Sequence, residues 1–215
     1  MKLNKQAKLI ISAALLILFA IWTVLIKTVD VQAIGPNNSS VGFAAINGFI
    51  HSLTGVNMSI YTITDWLGLV PLCFIVGFAV SGLIQWIKCR NILKVDKDIL
   101  ALGVFYIIVL AAYFLFEKFI INYRPVLIDG YLEPSYPSST TLLVLCVIPT
   151  AIMQFNKRMS NKNKRLIINI PLAVFTAFMV IGRLISGVHW FTDIIGGILL
   201  SAGLVVLYSV FLSEP

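Results

Sequence analysis

Charge is scarce in this chain: only 12% of its residues are Asp, Glu, Lys or Arg, against roughly a quarter in an ordinary soluble domain. That deficit excludes a conventional water-soluble globule. Histidine is scarcer still, with His51 and His189 the two copies. The three cysteines, Cys73, Cys89 and Cys146, lie in or beside apolar segments, with no metal-like spacing and no second thiol nearby. They exclude a disulfide framework and read as packing residues. No linker rich in Pro, Gly or Ser divides the chain and no internal repeat is visible, so residues 1–215 read as one domain.

What is abundant is apolar surface, at 59% of the residues. Crossing about 30 Å of hydrocarbon takes about 20 apolar residues in a helix, and six stretches reach approximately that length: 8–26, 66–86, 99–116, 139–155, 166–185 and 191–212. The expectation is an all-α integral membrane bundle of six transmembrane helices. The fourth stretch is the shortest. The first follows Lys2, Lys5 and Lys8 as a signal peptide would, yet its apolar run is too long for one, and it reads as a retained anchor. The segment between the first two stretches, 28–65, mixes Gly, Asn and Ser with an apolar run at 43–50, so part of it is expected to lie in the membrane interface.

The net charge of +7 does not point to nucleic acid, because the basic residues sit in short clusters between apolar runs. Lys2, Lys5 and Lys8 precede the first stretch, Lys88, Arg90, Lys94 and Lys97 follow the second, and Lys157, Arg158, Lys162, Lys164 and Arg165 follow the fourth. Twelve of the 16 basic residues thus fall on one side, and the positive-inside rule puts both termini in the cytoplasm. Pro71, Pro149 and Pro171 fall inside spans, where they are expected to kink helices. Gly182 with Ser186, and Gly197 with Ser201, place small residues four apart and predict close helix contacts.

Lys27, Lys118, Arg124 and Arg183 remain on the outer side. Three of them share helix ends with Ser138, Ser139, His189 and Asp193, and ionisable groups at membrane depth are costly unless paired or functional. An anionic ligand supplies the reason. Arg124 and Arg183 offer bidentate forks for phosphate oxygens and Lys118 a point charge, while Ser138 and Ser139 offer hydroxyls and backbone N–H groups at a helix start. His189 is a candidate nucleophile, and Asp193, four residues on, lies on the same helical face and is expected to accept the proton of the other ring nitrogen. Glu117 and Glu133 would repel an anion unless paired with Lys118 or an arginine. His51 reads as an interfacial loop residue, Asp129-Gly130 as a turn, and Tyr123, Tyr131, Tyr136 and Trp190 as interface anchors.

Between residues 117 and 197 the pattern resembles the type 2 phosphatidic acid phosphatases, six-helix membrane lipid phosphatases related to some bacterial acid phosphatases. Their third motif, Ser-Arg, five residues, His, three residues and Asp, is matched in spacing by Gly182-Arg183, His189 and Asp193, with Gly182 at the serine position. Pro137-Ser138-Ser139-Thr140 stands where the second motif reads Pro-Ser-Gly-His. The first motif appears as Arg124-Pro125, with Glu117 at its lysine position and Lys118 one place late. The resemblance implies that His189 forms a phosphohistidine, that Asp193 orients it, and that Arg183, Arg124, Ser138 and Lys118 bind phosphate.

Thr140 stands where the family's histidine protonates the leaving group, and a threonine hydroxyl is no acid near neutral pH. Loss of general acid catalysis costs about 10²–10⁴-fold, which fits an impaired phosphatase, a natural specialist or an engineered trap. A phosphate leaving group, with a second pKa of about 6, departs without that proton more readily than an alkoxide. The implied substrate is a lipid phosphate or diphosphate, the diphosphate suffering less from Thr140 and undecaprenyl diphosphate being the leading candidate, cleaved at the outer face of a Gram-positive-like plasma membrane. This chemistry needs no metal and no cofactor. The alternative is an inactive lipid-phosphate binder or transporter on the same scaffold, which the lack of ionisable residues at mid-depth disfavours. Nothing in the sequence specifies an oligomeric state.

Overall fold

A computed structural model describes residues 4–212; Lys2, part of the first basic cluster, lies outside them. Apolar runs become helices here because hydrocarbon offers no partner to a backbone N–H or C=O. Among the described residues eight α-helices result: α1 (Lys5–Thr28), α2 (Ala44–Thr54), α3 (Met58–Leu67), α4 (Leu69–Cys89), α5 (Lys97–Lys118), α6 (Ser139–Arg158), α7 (Lys162–Ile185) and α8 (Phe191–Phe211). Six spans are long and apolar enough to cross a membrane, with α3 and α4 running as one of them, and the chain is a multi-pass membrane protein.

That second span, Met58–Cys89, is longer than the sequence pattern predicts. Its first turns carry Tyr61, Thr62, Thr64 and Asp65, which read as loop. They are helical because Asn57 caps the segment, its side chain accepting from the Ile60 N–H at 3.0 Å, and because Arg183 takes up their polar groups. Gly68 joins α3 to α4, its N–H shared between the carbonyls of Thr64 at 3.1 Å and Asp65 at 3.0 Å.

The centre of the bundle is α6 and α8, each about half buried along its apolar length, whereas few residues of α3–α4 are fully buried. This explains why α6 has the weakest apolar signal: helices wrap it, and Thr141, Thr150 and Gln154 are satisfied inside the protein. Gly203 lets α1 approach α8, since a Cβ there would lie 2.8 Å from Leu16, and Ser12 donates to the Gly203 carbonyl at 2.8 Å. The small residues Gly182 and Gly197 face Thr64 of α3 and Thr141 of α6 respectively.

Two ends of the bundle differ. At the basic end, Asp98 pairs with Lys157, Asp96 with Arg158 at 2.7 Å, and Gln154 donates to the Tyr208 hydroxyl. At the motif end, α2 lies across the bundle, fastened where the Asn47 amide donates to Thr192 Oγ1 at 3.0 Å and accepts from the Thr192 N–H at 3.2 Å. Between α5 and α6 the chain folds back on itself: Arg124 N–H donates to the Glu133 carbonyl and Ser135 N–H to that of Asn122, both at 3.0 Å. The reversal falls at Asp129-Gly130, both with positive φ.

Two anchors expected at the interface are buried instead. The Tyr136 ring stacks on Phe19 at 6.1 Å and its hydroxyl meets Thr23 Oγ1 at 2.8 Å. Trp190 is 3% exposed, with its indole N–H on the Tyr123 carbonyl at 2.8 Å. Both rings brace the motif end from within.

Candidate active site

His189 sits on the short turn between α7 and α8. That turn is possible because Gly187 has φ +68° and lies against the Gly55 backbone, where no side chain would fit. The imidazole is 3% exposed. Its Nδ1 faces the Ser135 carbonyl at 3.1 Å, and since a carbonyl only accepts, Nδ1 carries the proton. Nε2 is then the acceptor, 3.2 Å from Arg124 Nη1. Burial first, then the guanidinium groups of Arg124 and Arg183, hold the His189 pKa well below the usual histidine value. The ring is therefore neutral, with its Nε2 lone pair turned toward a cation.

Asp193 reaches this ring less directly than the helical spacing predicts. Its Oδ2 lies 3.7 Å from His189 Nδ1 and accepts instead from the Trp190 N–H at 2.9 Å, capping α8. Its Oδ1 accepts from the Asn122 amide at 3.4 Å. The direct partner of Nδ1 is the Ser135 backbone, and the carboxylate supplies negative charge behind it.

The two arginines are held differently. Arg124 lies with its Nε 3.0 Å from Glu133 Oε2, although that Nε makes no aligned hydrogen bond. Arg183 is 1% exposed, reaches Thr64 Oγ1 at 3.3 Å and Asp65 Oδ1 at 3.4 Å, and leaves its Nε without a partner. Both guanidinium groups lie over the Tyr61 ring, at 5.9 Å for Arg124 and 4.9 Å for Arg183. Sequence reading missed Tyr61, Asp65 and the Ser135 carbonyl altogether; a polar run in an otherwise apolar approach to α4 was the signal for the first two.

A cavity of about 260 Å³ opens beside His189, lined by Arg124, Glu117, Glu133, Ser139 and Tyr113 among others. Ser138 is not among the residues that line it: its Oγ caps α6, accepting from Thr141 Oγ1 at 3.0 Å, while its N–H donates to the Asp193 carbonyl at 3.1 Å. Lys118 does not line the cavity either and is exposed; Glu117, one residue earlier, does. Thr140 lines a second, largely apolar cavity of about 310 Å³ with Asp65, Leu69, Leu72, Val109 and Leu143. Tyr113, Ser139 and Leu142 line both cavities. His51 stays on α2, its ring 5.5 Å from that of Trp190, and burial lowers its pKa.

A neutral buried imidazole facing a guanidinium, inside a helical membrane bundle, is an arrangement able to receive an anion beside a nucleophilic nitrogen. The chain belongs to the PAP2 superfamily, whose sequence pattern matches residues 99–214. Among solved structures it is similar to a transmembrane PAP2-type phosphatidylglycerolphosphate phosphatase from Bacillus subtilis, with a TM-score of 0.64 and 17% identity, covering 92% of this chain and 94% of that one. At that identity the likeness concerns the fold. Comparison with curated proteins finds no match.

Proposed function

We propose that this chain is a lipid phosphatase that removes the terminal phosphate of a lipid diphosphate, with undecaprenyl diphosphate the leading candidate, through a phosphohistidine on His189. The observation that carries the reading is the pairing of His189 Nε2 with Arg124 Nη1 at 3.2 Å. An incoming phosphoryl group takes over the guanidinium, which frees the lone pair it held and places phosphorus in front of it. Ser139, which lines the polar cavity, completes the grip; Arg183 lines neither cavity and adds positive charge behind His189, while Ser135 and Asp193 stabilise the charge that develops on the ring.

Thr140 supports the diphosphate. With no acid at that position, the leaving group has to depart as an anion, which a lipid monophosphate does and an alkoxide does not. The apolar cavity that adjoins the polar one supports a lipid, since it can take the first part of a tail while the headgroup meets His189. The basic clusters at the opposite end of the bundle support cytoplasmic termini and a site facing outward from a bacterial plasma membrane, in a single membrane-embedded domain.

A phosphate-release assay on purified protein, across lipid diphosphates and monophosphates, tests this. Release from undecaprenyl diphosphate is expected to exceed release from phosphatidic acid. His189→Ala is expected to lose at least about 10⁴-fold, as removal of a nucleophile does, and Thr140→His to narrow the gap by accelerating the monoester. The second reading, an inactive lipid-phosphate binder, draws on Arg183 being engaged by Asp65; binding without release from wild type and Thr140→His alike would establish it.

A further inference from the structure

A phosphohistidine has to be hydrolysed as well as formed, and the second step needs a base to take a proton from water. Neither Thr140, a hydroxyl lining the apolar chamber, nor His189, which carries the phosphoryl group, supplies one. The polar chamber holds two carboxylates, Glu117 and Glu133. Glu133 is committed to Arg124, with Oε2 at 3.0 Å from Nε. Among the described residues no ion pair ties down Glu117, which sits on the last turn of α5, exposed at the wet edge of the chamber and one turn beyond Tyr113 on the same face.

We propose that Glu117 is the general base that activates water against the phosphoenzyme; the proposal rests on the phosphatase reading above. In the first step His189 Nε2 forms a bond to the terminal phosphorus and the bridging P–O bond breaks, its electron pair leaving with the lipid monophosphate. In the second, a water oxygen bonds to phosphorus while Glu117 takes one water proton. The P–Nε2 bond breaks, its electrons return to the ring, inorganic phosphate departs, and Glu117 releases its proton to solvent. A diphosphate requires no acid in the first step, so one carboxylate suffices where the family pattern uses a histidine at the position of Thr140. It also gives a function to the glutamate that stands where that pattern has lysine, a charge that would otherwise only repel the substrate.

Burst kinetics on the full-length protein in lipid nanodiscs, with undecaprenyl diphosphate labelled in its terminal phosphate, separates the two steps. Glu117→Gln is expected to keep a burst of about one lipid monophosphate per site, to accumulate labelled phosphoenzyme, and to turn over about 10²–10⁴-fold more slowly. Glu117→Asp is expected to recover part of that loss. Glu133→Gln, which frees Arg124 and removes a negative charge from the chamber, is expected to lower KM without accumulating phosphoenzyme. Wild-type turnover in Glu117→Gln, burst and turnover falling together, or phosphoenzyme accumulating in Glu133→Gln instead, would each overturn the assignment. Failure of the underlying reading has a different signature, in which wild type forms no lipid monophosphate or His189→Ala retains the burst, and either result removes the proposal with it.

Discussion

The two ends of the bundle both hold charges at the edge of hydrocarbon, and they differ in how completely those charges are matched. At the basic end Asp98 meets Lys157 and Asp96 meets Arg158, carboxylate against cation. At the motif end two guanidinium groups converge on one tyrosine ring, and each leaves its Nε without a hydrogen bond. Burying a donor without a partner costs about 1–3 kcal/mol, more when it is charged. The first arrangement is complete in itself and ties helices together. The second also meets carboxylates, Arg124 with Glu133 and Arg183 with Asp65, but keeps one donor of each guanidinium unspent, capacity that an anion could use.

Three experiments test that contrast. Arg124→Ala should lower phosphate release by about 10²–10³-fold, the usual cost of losing one preorganised donor to developing charge, with only a small drop in the thermal midpoint, because its side-chain partners are the half-exposed Glu133, the Tyr61 ring and the neutral His189, which keeps its Ser135 hydrogen bond. A large drop in melting temperature with catalysis intact would invert the comparison. Asp98→Asn should do the opposite. It removes the carboxylate charge facing Lys157, and because that side chain is 22% exposed the loss is expected below the 3–5 kcal/mol of a fully buried pair, at about 2 kcal/mol, read as a lower melting temperature with unchanged turnover in the folded fraction.

The smallest effect concerns pH. The His189 pKa is depressed by burial and by the two arginines, so the imidazole proposed as nucleophile is neutral above its lowered pKa. Activity governed by His189 should therefore persist as pH falls through the ordinary histidine value of about 6.5 and fail only below it. Arg124→Ala removes one of the depressing charges, so the acid limb should move upward, toward that ordinary value. A pH–rate profile of kcat in both proteins checks the direction, and an unchanged or lowered limb would remove Arg124 from the electrostatics of the ring.

Much of this end of the molecule was legible because its code is spacing. The interval from Arg183 through His189 to Asp193 survives any uncertainty in helix boundaries, and the six apolar spans follow from length. What escaped was phase and backbone. Moving one place along a helix rotates a side chain by about 100°, enough to bring Glu117 into the chamber and leave Lys118 outside it. The Ser135 carbonyl that orients His189 has no residue-type signature, since every residue carries one. Asp193 has the expected register yet spends its nearest oxygen on the Trp190 N–H, a competition between capping α8 and meeting His189 that spacing does not foretell. Tyr136 and Trp190 read as interface anchors by composition, but their polar tips find partners inside the fold, on Thr23 and the Tyr123 carbonyl.

Tyr113, Ser139 and Leu142 form a common wall between the polar and apolar chambers, and that wall has a pharmacological corollary. Small water-soluble phosphate mimics fill one compartment and forgo the other, so they should compete poorly. A compound that straddles the partition, carrying an acidic warhead on a short greasy stem, would exploit both compartments at once.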